Sequence, residues 1–300
     1  MRCAVPAPSP RPRELETLSG PADPLLRLIV TRPAAEAVGW VDALKALGWP
    51  TQALPLIHIA EPRDSGSAMG LHHARAHWAE MDALMFVSGA AVSHFFADGV
   101  APVPPQGSST RFWAPGPGTA RLLAQALSRL GVAADRVDSP PADAEQFDSE
   151  SLWPVVAPQV QSGRRIGVVR GASVSAATAT ASRAATGTGR DWLIRQCEAA
   201  GAEVLACVAY ERHPPLWTEA SRALARQGQA SGSVWLFSSS EALDHLQAGE
   251  PQSDWSQAAA LATHPRIASR AQAAGFGRVV QSRPALADVV RALESGWIRP

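Results

Sequence analysis

Short apolar runs recur along the chain, each followed by small polar residues and then by apolar positions at helical spacing. This alternation predicts strands leading through turns into helices, and therefore parallel sheets. The first strand is expected over Leu25–Val30, followed by Thr31-Arg32-Pro33, where Pro33 suits a first helical turn. Its helix runs through Trp40, Leu44 and Leu47 and stops at Gly48. Leu54–Ala60 reads as a strand or extended connection between Pro55 and Pro62, and a helix follows around residues 71–80. Further strands are expected at Ala83–Phe86, Arg111–Ala114, Arg165–Arg170, Glu203–Tyr210 and Val234–Phe237. Further helices are expected from the Pro115–Ala120 turn to Gly131, near Ser149–Val160, over Asp191–Ala200 and between Pro214-Pro215 and the second echo unit. A turn at Thr263-His264-Pro265-Arg266-Ile267 and a terminal strand–helix unit complete the pattern. The Ala-, Ser-, Thr- and Gly-rich stretch Ala172–Thr188 reads as a flexible insertion or a frayed helix.

Two of these units echo each other. Phe86-Val87-Ser88-Gly89 leads to His94-Phe95, and Phe237-Ser238-Ser239-Ser240 leads to His245-Leu246. Val30-Thr31-Arg32 with Trp40 and Gly48 is likewise matched by Val169-Arg170 with Trp192 and Gly201, and the Pro117–Ala120 turn by Pro265–Ala268. Three units recurring in order suggest a duplicated α/β half with a ligand between the copies. Such turns expose backbone N–H groups at helix N-termini, where anions bind. The serines also suit helix capping, which uses the same groups.

Composition narrows the classes. Three hundred residues, 46% hydrophobic and 18% charged, suffice for two cores, and the net charge of zero advertises neither nucleic acid nor an anionic membrane. Lys45 is the only lysine, and the other basic residues are arginines. Cys3, Cys197 and Cys207 lack redox or metal spacing, which fits a reducing compartment. No apolar run approaches a membrane span, and the proline-rich residues 1–24 read as a disordered leader on a cytosolic protein. His72, His73 and His77 share one helix without supporting acids, so a solvated face is expected and no metal site. No glycine-rich dinucleotide or phosphate loop is present. Tyr210, the sole tyrosine, closes a strand in Ala209-Tyr210-Glu211-Arg212. It is either an interface ring with a wet hydroxyl or a proton donor at a domain junction.

An ordered set of motifs resembles the uroporphyrinogen-III synthase family. They are Thr31-Arg32-Pro33, Pro55-Leu56-Ile57, the Phe-x-Ser turn, Gly116-Pro117-Gly118-Thr119-Ala120, Val169-Arg170-Gly171, Tyr210-Glu211-Arg212 and Ala262-Thr263-His264-Pro265-Arg266-Ile267. The resemblance spans residue 25 to about residue 290. It departs from the family at Gly89-Ala90, which replaces a more usual polar pair, and at the length of the Ala172–Thr188 link.

The resemblance implies two flavodoxin-like (Rossmann-like) parallel-sheet lobes joined by a two-stranded linker, with the substrate cleft between them. Lobe 1 would comprise 25–56 plus 213–300 and lobe 2 61–208, with linkers near 55–62 and 205–215. The implied enzyme is a cytoplasmic, cofactor-free monomer that closes the linear tetrapyrrole hydroxymethylbilane with inversion of ring D and loss of water. Tyr210 would assist departure of the hydroxyl. Thr31, Arg32, Ser88, Gly89, Gly116, Thr119, Arg170, Ser239, Ser240, Thr263 and His264 would hold the substrate's carboxylates. The competing reading is a non-catalytic two-lobed binding or sensor protein for a polyanionic small molecule.

Overall fold

The structure is a computed structural model and describes residues 27–97, 108–141, 143–144, 146–174 and 188–299, with backbone alone for 188–190. The chain begins with β1 (Arg27–Val30), α1 (Ala34–Ala46), β2 (Thr51–Ala53), β3 (His58–Ala60) and α2 (Ser65–His77). It continues through β4 (Ala83–Phe86), α3 (Gly89–Phe95), β5 (Arg111–Trp113), α4 (Pro117–Ser128), β6 (Val137–Asp138) and α5 (Ser149–Val156). Next come β7 (Arg165–Ser173), α6 (Thr188–Ala199), β8 (Glu203–His213) and α7 (Glu219–Gln227). It ends with β9 (Ser233–Phe237), α8 (Ser240–Gly249), β10 (Ala259–Ala262), α9 (Pro265–Ala273), β11 (Arg278–Gln281) and α10 (Leu286–Gly296).

Among the described residues the strands form two sheets. One is five-stranded and wholly parallel, in the order β11-β10-β9-β1-β2; the other is six-stranded, in the order β3-β8-β7-β4-β5-β6. With β3 set aside, the two orders match strand for strand, β2-β1-β9-β10-β11 against β8-β7-β4-β5-β6. The sequence echoes fall on equivalent strands: β4 and β9 lead to the two serine turns, and β7 and β1 to the two arginines.

Helices on both faces explain why the central strands are continuous apolar runs. Every residue of β4, β9 and β10 is buried. Strand alternation then divides each core into two layers. In the five-stranded sheet, Ile29, Trp235 and Phe237 face one layer while Leu28, Val30 and Leu236 face the other. In its counterpart, Leu84, Phe86 and Phe112 oppose Ala83, Met85 and Trp113. The helix stops expected at Gly48 and Gly201 both have φ of +84°, which glycine adopts without a Cβ clash.

Three expectations need correction. Strand β8 does not end at Tyr210 but runs to His213, because β3 pairs with its end in antiparallel register, His58 with His213 and Ala60 with Glu211. Among the described residues, that pair is also the exception to parallel pairing. Strand β7 continues past Arg170 to Ser173, so Ala172 and Ser173 belong to the sheet. The rest of the expected insertion, from residue 175 to 187, lies outside the described residues, as do Leu25, Leu26 and the 1–24 leader. Strand β2 is an addition: a three-residue edge strand held beside β1. Among the described residues, no helix is long and apolar enough to cross a membrane.

Candidate active site

In open α/β sheets, ligands bind beyond the carboxyl ends of strands, at the crevice where strand order reverses. Here the chain steps from β1 to β2 on one side and from β9 to β11 on the other, so the crevice lies between β1 and β9. The equivalent crevice in the second sheet lies between β4 and β7. Thr31 and Ser239 follow the first pair of strands; Ser88 and the Arg170-Gly171 segment mark the second.

Tyr210 sits beside the second crevice and is held on three sides. Its ring packs on Gly171, because a bulge between Arg170 and Gly171 shifts the register and sets Gly171 opposite Tyr210. A Cβ at Gly171 would lie 2.4 Å from two ring carbons, so only glycine admits the ring there. The His94 imidazole stacks on the phenol with centroids 5.8 Å apart and an interplanar angle of 27°. The Tyr210 hydroxyl lies 3.0 Å from Ser88 Oγ, and only 3% of the residue is exposed.

Ser88 caps α3, its Oγ accepting from the Ala91 N–H at 3.2 Å. His94 is fixed from behind by Arg75, which donates to the carbonyls of His94 and Phe95. Burial holds the His94 pKa below the ordinary imidazole value and Arg75 pushes the same way, while Glu61 opposes them. Burial likewise raises the nearby Cys207 thiol to about 11, which keeps it protonated and inert.

The other expected residues divide by what their side chains already do. The Thr31 hydroxyl donates to the Leu236 carbonyl at 2.7 Å and is buried, tying β1 to β9 and leaving no free hydroxyl. Arg32 bonds Glu36 at 3.0 Å and stacks over Trp40 at 4.2 Å. Arg170 lies 3.8 Å from Asp191, and its buried Nε has no hydrogen-bond partner among the described residues. Ser239 caps α8 by accepting from the Glu241 N–H, and the neighbouring Ser240 Oγ is buried and unpartnered among the described residues.

Thr263 is buried, its N–H donating to the Phe237 carbonyl. His264 caps α9 through Nδ1, which accepts from the Arg266 N–H at 3.1 Å. Burial and Arg266 lower the His264 pKa, against the pull of Asp148 and Glu150 from the other sheet's α5. Gly116 caps α4 in extended backbone, and Thr119 is half-buried in that helix's first turn. A Cβ at Gly116 would meet Phe147 at 2.8 Å, and one at Gly89 would meet Leu122 at 2.7 Å. The structure thus joins Ser88 directly to Tyr210, while the remaining candidates are spread over the two sets of strand ends.

Several further residues matter here that the expected site does not include. Arg212 donates to Ser173 Oγ and reaches Glu241 Oε2 at 2.9 Å, joining strand β8 to α8 of the five-stranded sheet. Arg283, just after β11, donates to the Ala144 carbonyl and sits over the Phe147 ring at 5.5 Å. Glu211 is buried, accepting from the Arg63 N–H at 3.1 Å and facing His213 Nε2 at 2.9 Å. Arg212 is visible in sequence only as part of the Tyr210-Glu211-Arg212 motif; Arg283 and Phe147 carry no local signal.

Two hollows of about 250 and 240 Å³ open at the amino ends of the strands, near Asp82 and Arg164 and near Gly232 and Arg278. They hold none of the candidate site residues. His77 bonds Glu80 at 2.8 Å and its ring lies 4.4 Å from that of His73. Among the described residues, no cluster of His, Cys, Asp or Glu is arranged to hold a metal ion.

Two α/β sheets of matching strand order, connected through β3 and the end of β8, define a two-lobed α/β protein. The uroporphyrinogen-III synthase HemD family model matches residues 39–291, and the chain belongs to that family. The uroporphyrinogen-III synthetase of Helicobacter pylori 26695 shares the fold with a TM-score of 0.51 at 13% identity, over 90% of this chain and 98% of that one. A selenomethionine mutant of the Thermus thermophilus uroporphyrinogen III synthase gives 0.49 at 15% identity, over 89% and 98%. Among curated protein sequences, none matches significantly. The activity is that of the family, a cyclising lyase of porphyrin and haem biosynthesis, and nothing supports the non-catalytic alternative.

Proposed function

We propose that the cleft between the two sets of strand ends takes hydroxymethylbilane and that Tyr210 protonates its departing hydroxyl. The single observation behind this reading is the clamped phenol: a buried ring on Gly171, stacked by His94, with its oxygen 3.0 Å from Ser88. The ring contacts and the Ser88 bond together hold the phenol oxygen in one place beside the crevice, which is what a positioned proton donor requires.

Proton transfer to the leaving oxygen lets the C–O bond break with its electron pair going to oxygen, so that water leaves. The pyrrole nitrogen supplies electron density to the resulting azafulvene cation. The substituted α-carbon of ring D then attacks, and the spiro intermediate fragments and recloses at the free α-carbon, which loses a proton. Positioning dominates this sequence, since the electron-rich pyrrole already favours ionisation.

The substrate's eight carboxylates would be met by backbone amides at the helix starts near Ser88, Gly116, Ser239 and His264, with Arg170 adding charge. Thr31 would serve by its position in the turn rather than by its hydroxyl. Residues 25–56 plus 213–300 would form one lobe and 61–208 the other, with β3 and the end of β8 as the linker. No cofactor takes part, and the enzyme works as a cytoplasmic monomer. The test is Tyr210→Phe under steady-state conditions. A fall in kcat of about 10²-fold with KM nearly kept is expected for loss of a general acid. Unchanged turnover would reduce Tyr210 to a packing residue.

A further inference from the structure

The Ser88–Tyr210 contact carries more than alignment. A serine hydroxyl has one hydrogen to donate and two lone pairs, and a phenol has the same choice. Ser88 Oγ already accepts the Ala91 N–H, at 3.2 Å. Two arrangements of the Ser88–Tyr210 bond are then open. If Tyr210 donated to Ser88, both lone pairs of Ser88 would be filled and the Tyr210 proton would be unavailable to a substrate. If Ser88 donates to Tyr210, the phenolic proton is free to turn towards the crevice.

The surroundings fix the oxygen but leave its proton unassigned. Gly171 lies against the ring and His94 stacks on it, so ring contacts hold the phenol in place independently of which way its hydroxyl bond points. Among the described residues, Ser88 is the group that bonds the Tyr210 hydroxyl.

We infer that Ser88 acts through Tyr210, donating its hydroxyl hydrogen to the phenol oxygen so that the phenol proton faces the leaving hydroxyl, rather than gripping a substrate carboxylate. This rests on Tyr210 being the proton donor. As the C–O bond breaks, the proton moves from Tyr210 to the leaving oxygen and the bond's electron pair departs with the water. The phenolate left behind keeps the Ser88 hydrogen bond, now to a charged acceptor and therefore stronger. The proton released from the free α-carbon of ring D on reclosure restores the phenol. Ser88 is thus a positioning residue whose bond strengthens in the transition state, which raises kcat rather than lowering KM.

The test is a double-mutant cycle between Ser88 and Tyr210 on the full chain. Ser88→Gly removes the hydroxyl but remains an acceptable helix cap, so the fold is kept. Ser88→Gly alone should lower kcat about tenfold with KM nearly unchanged, and Ser88→Thr should recover most of that loss. In a Tyr210→Phe background, adding Ser88→Gly should cost nothing further. Losses that multiply while Tyr210→Phe is itself impaired would overturn the Ser88 inference and leave Tyr210 as the acid. A rise in KM alone for Ser88→Gly would return Ser88 to substrate binding. A silent Tyr210→Phe would remove both.

Discussion

The Tyr210 ring rests on the backbone of Gly171, at a point where a side chain on residue 171 would place its Cβ 2.4 Å from two ring carbons. The bulge that brings the two residues opposite each other interrupts an otherwise regular parallel pairing of β7 with β8. Bulges re-aim side chains near functional sites, and this one sets the phenol beside the crevice.

Gly171→Ala should therefore displace Tyr210 while leaving both sheets intact. Overpacking of this kind costs about 1–3 kcal/mol of stability. Turnover should fall at least tenfold, out of proportion to the change in folding, because a small misplacement of a catalytic group is costly. Steady-state rates set against the urea midpoint separate the two effects. A variant with reduced stability and full kcat would contradict the clamp.

The Arg212–Glu241 ion pair, at 2.9 Å between partly exposed side chains, ties β8 to α8 of the five-stranded sheet. Glu241→Gln should loosen that tie by about 1 kcal/mol, as for a partly exposed pair. Broader interlobe motion should appear as a larger radius of gyration in small-angle scattering and a several-fold higher KM. An unchanged scattering profile and KM would make the pair irrelevant to closure.

His94 and His264 both have pKa values lowered mainly by burial. Such a histidine stays neutral in the folded state while its unfolded form takes up a proton near pH 6.5. The unfolded state then binds more protons, so stability falls as pH drops from about 6.5 towards the lowered folded value, and is level above that window. The urea midpoint should decline over that range. It should decline less in His94→Gln. A midpoint insensitive to His94 across this window would argue against the burial of its ring.

Cys197 and Cys207 are buried with thiols raised to about 11, so neither offers thiolate at neutral pH. A disulfide-exchange reagent at neutral pH should leave both unmodified in native protein and label both in urea, as peptide mass spectrometry can assign. Rapid native labelling of either residue would contradict its placement.

Much of the architecture is legible in the sequence because buried parallel strands are apolar without interruption, as in β4, β9 and β10. The echo of Phe86 and Phe237 also marks equivalent strands of the two sheets. Thr51-Gln52-Ala53 gives no such signal because an edge strand covered on one side reads as polar, and its conformation comes from β1. The pattern ends β8 at Tyr210 although the linker expected near 205–215 reaches further, and it is the pairing with β3 that carries the strand on through Glu211 and Arg212. At the site, Tyr210 stands out by its rarity, but Gly171 and His94 do not, since a bulge and a ring stack are tertiary facts. Thr31 occupies the turn that the pattern predicts, while its hydroxyl is spent on Leu236, which only the pairing of β1 with β9 reveals.

The most direct measurement gives the purified protein freshly made hydroxymethylbilane and resolves the oxidised product by isomer. The cleft, the clamped phenol and the family together predict the type III isomer, formed faster than spontaneous closure. Product of type I alone, at the spontaneous rate, would contradict the account.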